Sequence, residues 1–335
     1  MIYLFRIPKR VDAFFRTYGY TIVMMVIYAL LALSLYLPLM AGQLSLASPG
    51  FYLMGGYVSG LLSVGGFKGL VGDSNSYPAW ALLIQMVLAG LLCGLVGFVI
   101  GVIVLRLKGI FLALATIAFV EILNKSATAF KEFTYGPEGV PNIPQPFPTQ
   151  FAYILAAAPL LIFAMFFMYR LERTRAGRAF TAIREDELAA SAMGIDTTRY
   201  KILSFVLGSI VAGMAGAISA HINNTWNPSF GTFDASILIL ASVLVGGSRT
   251  FVGAVVGGML ISVLPELLRA LAGTPGISDA LRKAIADSRL IIFGVLITLC
   301  AITFPQGLIN PDFFTRFRRP STPTPVQTRP TGVQT

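Results

Sequence analysis

The chain has 335 residues, 56% of them hydrophobic and 12% charged, with a formal net charge of +10 and a mean hydropathy of +0.76. A soluble domain carries about 25% charged residues, so half that level, with long uncharged runs, excludes a soluble globular fold and points to an all-α polytopic membrane protein. The basic residues sit beside apolar runs and form no single stripe, so they read as positive-inside asymmetry and exclude nucleic-acid binding.

Residues 1–19 hold Arg6, Lys9, Arg10 and Arg16. The apolar stretch after them is too long for a signal h-region and has no small-residue cleavage site. The first span, Tyr20–Leu39, is therefore expected to stay in the membrane behind a cytoplasmic N-terminal segment. Residues 42–64 follow, with Gly42, Ser48-Pro49-Gly50 and Gly55-Gly56. Pro49 lacks a backbone donor, and these residues together predict a broken helix. Further spans are expected at Trp80–Leu105, Ile110–Asn124, Gln150–Tyr169, Ile202–Ala220, Val252–Leu271 and Leu290–Phe304. The run Ala235–Gly247 is short for a crossing, which takes about 20 residues. If 42–64 crossed fully, a cytoplasmic N-terminus would place residues 171–201 outside. A re-entrant 42–64 repairs that parity and gives about eight spans with both termini inside. The membrane-embedded body is thus 20–309, and the Pro-, Thr- and Arg-rich tail 310–335 reads as disordered.

Residues 171–201 are a polar island between apolar runs, rich in arginine. They belong in the cytoplasm. A helix is expected from Arg178 to Met193, with Gly194 at the C′ position and Asp196 or Thr197 capping the next span. The island reads as a coupling segment for a cytoplasmic partner, carried by Arg178, Arg184, Glu185, Glu187 and Gly194. The alternative is a plain solvated loop.

Here a resemblance enters. RAGRAFTAIREDELAASAMGI (175–195) is similar to the cytoplasmic signature of permease subunits of branched-chain amino-acid ABC importers, nearest the M-type. GQLSLASPGF (42–51), KGIFLALATIAFVEIL (108–123), VLVGGSRTFVGAVVGG (243–258) and TFPQGLI (303–309) resemble further segments of that family, in order along the chain. The resemblance implies a bacterial inner-membrane import permease. It also implies a second permease subunit, two cytoplasmic ATPase subunits and an extracytoplasmic solute-binding protein. The chain departs from the family at Ala47-Ser48-Pro49 and at Arg249, which leaves the solute open between branched-chain amino acids, amides and urea. It contains no GxxxxGK[ST] loop, so ATP hydrolysis would fall to the partners.

The broken segments predict the translocation path, because backbone without regular hydrogen bonds is tolerated at membrane depth only around a cavity or within protein. That assigns Gly42, Gln43, Ser45, Ser48, Gly50 and Phe51 from the first segment and Gly246 and Gly247 from the second. Leu44, Leu46 and Phe51 would suit an aliphatic solute. Glu121 is an intramembrane carboxylate near the outer end of its span, functional by default or paired with Lys125 at i,i+4. Thr116 either lines the path or bonds back to its own helix. His221 reads as an interfacial residue and Trp226 as a belt aromatic. Gly90, Gly94, Gly97 and Gly101 read as a packing stripe. Residues 126–150 read as an outer loop stiffened by proline. With one histidine, and Cys93 and Cys300 both in apolar runs, neither a metal nor a cofactor is expected. An ion-coupled transporter would need carboxylates deep in several spans, and an enzyme a catalytic constellation. The sequence displays neither.

Overall fold

The computed structural model describes residues 9–66, 77–147, 149–272, 294–295, 298–299 and 307–309. The fold is all-helical and multi-pass. Among the described residues its helices of six residues or more are α1 Lys9–Met40, α2 Ser48–Leu61, α3 Ala79–Val104, α4 Ile110–Ala129 and α5 Gln150–Arg173. After them come α6 Arg175–Glu185, α7 Glu187–Ala192, α8 Thr197–Asn223, α9 Phe233–Gly246 and α10 Phe251–Ala272. Six described stretches are long and apolar enough to cross a membrane. Most of the expected span 290–304, and the whole tail 310–335, fall outside the described residues.

Local chemistry sets the breaks. Pro38 lies in the last turn of α1, and Gly42, at φ +73°, turns the chain. Residues 41–47 then run without helix before α2 begins at Ser48. Pro49 sits in the first turn of α2, where a missing N–H leaves nothing unsatisfied. It starts this helix, contrary to the expectation that it breaks one. Gly55 and Gly56 also lie inside α2, so the break is confined to 41–47.

Contacts along the bundle fix the direction of each helix. At one end Tyr36 meets Glu172, Gly42 lies against Arg184, and Lys108 pairs with Glu187. At the other, Tyr20 Oη bonds Asn223 at 3.0 Å, Gly19 abuts Gln150, and His221 meets Gln85. Hence α1, α3 and α5 run toward the island end, and α2, α4 and α8 run away from it.

Two linked expectations are corrected. Residues 42–64 do not re-enter; Gly42 lies at the island end, while Ser59 and Ser63 reach His221 at the far end. The start of the first span, at Gly19 and Tyr20, lies at the far end too, so it does not share the island's face. A crossing with a broken first third restores the same parity that a re-entrant loop was invoked to repair. Cysteines at Tyr18 and Arg199 in a cysteine-free background are expected to react with a membrane-impermeant maleimide from opposite sides. Labelling from the same side would overturn this direction of α1.

Glycine lets the central helices approach closely. Cβ atoms added at Gly90 and Gly94 would lie 2.9 Å from Met214 and 2.8 Å from Ile210 on α8. A Cβ at Gly55 would enter the backbone of Gly213, and one at Gly216 the carbonyl of Tyr52. Small residues at such contacts are how helices pack without a hydrophobic drive between them. Cys93 is buried in this contact, its Sγ 3.4 Å from Phe51 O.

Candidate functional site

The broken crossing supplies polar groups at depth. Gln43 N–H donates to Pro38 O at 3.0 Å, and Leu46 N–H donates to Thr116 Oγ1 at 3.0 Å. Thr116 Oγ1–H in turn donates to Ala113 O at 2.9 Å. Thr116 therefore bonds back to its own helix and also pins the unwound strand to α4. Ser45, Ser48 and Phe51 line one small void with Ser34, Phe205 and Ser209, and the Ser34 and Ser48 hydroxyls bond each other. The void has room for about one water. A solute the size of an amino acid does not fit in this void. Gln43 is 2% exposed, and neither of its amide atoms has a partner among the described residues. Such a group is costly to bury unpaired.

Other expected path residues do something else. Gly42 is exposed beside Arg184 at the island end. Gly50 faces α4; its Cβ would lie 3.1–3.3 Å from Phe119, Val120 and Leu123, so it serves packing and bares no backbone to a cavity. Gly246 packs against α10, where a Cβ would enter Gly253 O. Gly247, at φ +129°, turns the chain between α9 and α10. The last carbonyls of α9 need partners. Leu308 N–H donates to Val245 O at 2.9 Å and Ile309 N–H to Gly246 O at 3.0 Å. Thr250 Oγ1–H adds a bond to Ile309 O at 3.2 Å. The Gly307-Leu308-Ile309 clip was invisible in the sequence, because it joins segments about sixty positions apart through main-chain atoms. Glu121 is half-buried on α4 and makes no ion pair with Lys125 among the described residues.

The far end holds a buried cluster around Trp226. Trp226 is 0% exposed, stacks on Phe230 at 4.3 Å and meets Tyr52 edge-on at 5.1 Å. Its Nε1–H donates to Leu53 O at 3.0 Å. His221 is also 0% exposed. Its Nδ1 bonds Pro144 O at 2.7 Å, and its Nε2 lies 2.7 Å from Gln85 Oε1 and 3.1 Å from Ser59 Oγ. Both are buried inside the protein and do not face outward as the interfacial residues the sequence suggested would. Residues 224–232 fold inward and carry Trp226 to the depth of Leu53, so α9 starts deep and needs fewer residues. Among the described residues no cluster of His, Cys, Asp and Glu could hold a metal.

The island is two helices, not one. Asp186 separates them and caps α7, accepting from Leu188 N–H at 2.8 Å and Ala189 N–H at 3.0 Å. Gly194, at φ +83°, ends α7, with Ile195 N–H reaching back to Ala190 O at 3.1 Å. Asp196 caps α8 through Arg199 N–H at 3.1 Å. The buried face of α6 is Ala179, Phe180 and Ile183, and Phe180 meets Tyr200 edge-on at 6.0 Å. The helix therefore lies along the end of the bundle on its apolar face. Glu187 is held by Lys201 at 2.7 Å and Lys108 at 3.2 Å. The hydrogen bond from Lys201, followed by that from Lys108, draws its carboxyl below the ordinary carboxylate value. Glu187 thus ties α7 to α8 and to the α3–α4 turn. Arg178 is exposed and donates to Arg173 O at 3.0 Å; Glu185 is exposed as well. Arg184 Nη1–H donates to Ser248 O at 3.3 Å. Two apolar side chains stand outward, Leu188 at 77% and Met193 at 84% exposed. A six-residue helix is too short for periodicity to reveal them.

A many-span helical bundle with unwound backbone at depth, and an amphipathic island lying across one end, is the architecture of a transport permease. Residues 17–300 match the family described as branched-chain amino acid transport system / permease component, and the chain belongs to that family. It is 30% identical over 316 residues to the high-affinity branched-chain amino acid transport system permease protein LivM of Salmonella typhimurium, covering 85% of this chain and 68% of that protein. It is 29% identical over 313 residues to LivM of Escherichia coli K12, covering 84% and 68%. To the permease protein LivH of the same organism it is 27% identical over 158 residues, covering 47% and 46%. No solved structure matches the chain.

Proposed function

We propose that this chain is a membrane-spanning subunit of an ATP-driven importer for branched-chain amino acids or related small solutes in a bacterial inner membrane. Family membership carries the reading. LivM and LivH are named as separate permease proteins of one kind of transport system, which supports a second permease beside this chain. Two cytoplasmic ATPases and an extracytoplasmic binding protein complete the assembly. The void lined by Ser45, Ser48 and Phe51 holds only about one water, too little for the solute, and the path is placed between the two permeases.

The island takes the ATPase contact, and its face is cytoplasmic. Leu188 and Met193 are the anchors, large apolar side chains exposed within a charged surround, as a buried hot spot in a partner groove requires. Arg184 carries motion inward. Its guanidinium holds Ser248 of the α9–α10 turn, and its backbone abuts Gly42 of the broken crossing. A displaced island would move both. The ion-coupled alternative gains no support, since Glu121 remains a single carboxylate on its helix.

The test is reconstitution of the assembly in liposomes with ATP inside and loaded binding protein outside. ATP-dependent uptake of leucine is expected, and an ion gradient alone should drive none. Leu188→Asp with Met193→Asp should abolish co-purification of the ATPases while this chain and its partner permease still extract together. Normal ATPase recovery would show that the anchors lie elsewhere.

A further inference from the structure

Helix α4, long and apolar enough to cross a membrane, carries Glu121 and Lys125 on its outer half. Gly50 packs on Phe119, Val120 and Leu123, and α2 with its π turn runs on to Gly66 beyond that level. Glu121 therefore lies within the bundle's depth, short of its outer rim. The packed face of α4 is Leu112, Ala113, Thr116, Val120 and Ala127. Glu121 stands off that face, on the stripe Leu114, Ala118, Glu121, Lys125, whose spacing of four, three and four aligns one side of a helix. Leu114, Ala118 and Lys125 are exposed and Glu121 is half-buried. A carboxylate and an ammonium one turn apart do not belong against hydrocarbon; at such depth ionisable groups face a watery cavity or another protein.

We propose that this stripe is the chain's half of the solute path, with Glu121 receiving the ammonium of a zwitterionic amino acid and Lys125 its carboxylate. The assignment rests on the import reading above. Side chains at i and i+4 stand about 5–6 Å apart at Cβ, so both can reach the two charged groups borne on one α-carbon. Leu114 and Ala118, toward the island end, offer an apolar surface with room at alanine for an aliphatic side chain. A free carboxylate left without its ammonium partner disfavours an uncharged solute such as urea.

The experiment uses the reconstituted assembly, with radiolabelled leucine and urea as probes. Glu121→Gln should lower leucine uptake roughly tenfold or more, the order of one lost charge-assisted bond. Binding-protein-stimulated ATP hydrolysis and recovery of the partner permease should stay near wild type. Glu121→Asp should restore part of the uptake. The charge swap Glu121→Lys with Lys125→Glu should not restore it, because loaded binding protein delivers the solute in one orientation. Normal leucine uptake by Glu121→Gln overturns the proposal. So does full recovery by the swap, which would mark a structural ion pair, and so does loss of the partner permease, which would mark a packing role. A wild-type assembly that imports urea but not leucine refutes the zwitterion assignment alone. One without ATP-driven uptake of either refutes the import reading itself.

Discussion

Trp226→Ala is expected to lower the unfolding free energy of the far end by about 3–5 kcal/mol, the cost of emptying a buried aromatic site. The indole stacks on Phe230, meets Tyr52, and bonds Leu53 O from a fully buried position. Its backbone is also tied in, since Trp226 and Val140 exchange main-chain hydrogen bonds of 2.8 and 3.0 Å. Loss of the ring should let the whole 224–232 loop withdraw. Thermal unfolding in detergent should move clearly down, and Trp226→Phe should recover more than half of the shift. Protease sensitivity between 224 and 232 should rise in the alanine variant alone. A Trp226→Ala protein as stable as the parent would mean that the residue sits at the headgroup interface, as the sequence suggested.

Arg184→Glu is expected to separate hydrolysis from transport. The substitution removes the bond to Ser248 O and sets a carboxylate against the carbonyl-rich 247–250 turn. Leu188 and Met193, the proposed ATPase anchors, are left untouched. ATP hydrolysis should continue at near its basal rate, while leucine uptake falls by roughly a hundredfold, since one charge-assisted bond is replaced by repulsion. Arg184→Lys keeps the charge but loses the planar fork, and should lie between. Parallel loss of ATPase binding and uptake would place Arg184 in the docking surface instead of behind it.

Much of the fold was legible because bilayer-length apolar runs and a charged interruption are one-dimensional signals. The island, its Gly194 terminus and the glycine stripe were readable from composition and spacing alone. Direction was harder. Positive-inside counting weighed Arg6, Lys9, Arg10 and Arg16 against the island, and a parity error was repaired with a re-entrant loop. The sense of α1 comes from contacts between distant segments, such as those of Gly19 with Gln150 and of Gly42 with Arg184. The residues expected on the path do not share one place. Ser45, Ser48 and Phe51 share a void, but Gly50, Gly246 and Gly247 were chosen because glycine marks both bare backbone and close packing, and spacing does not tell these apart. His221 and Trp226 misled for a similar reason. They close an apolar span, where interfacial residues gather, yet the loop after them folds inward and takes Trp226 with it.

The interlocked glycines have a mechanical meaning. Main chain meets main chain where Gly55 faces Gly213 and where Gly216 faces Tyr52, leaving no side-chain cushion to shear. A slip of α8 along α3 would carry Met214 and Ile210 out of the places kept clear for them by Gly90 and Gly94. These three helices must travel as one stiff plate. Alternating access then becomes a problem of joints: the unwound 41–47 ribbon at one edge and the 247–250 turn at the other are the places where this plate can swing without breaking its own teeth.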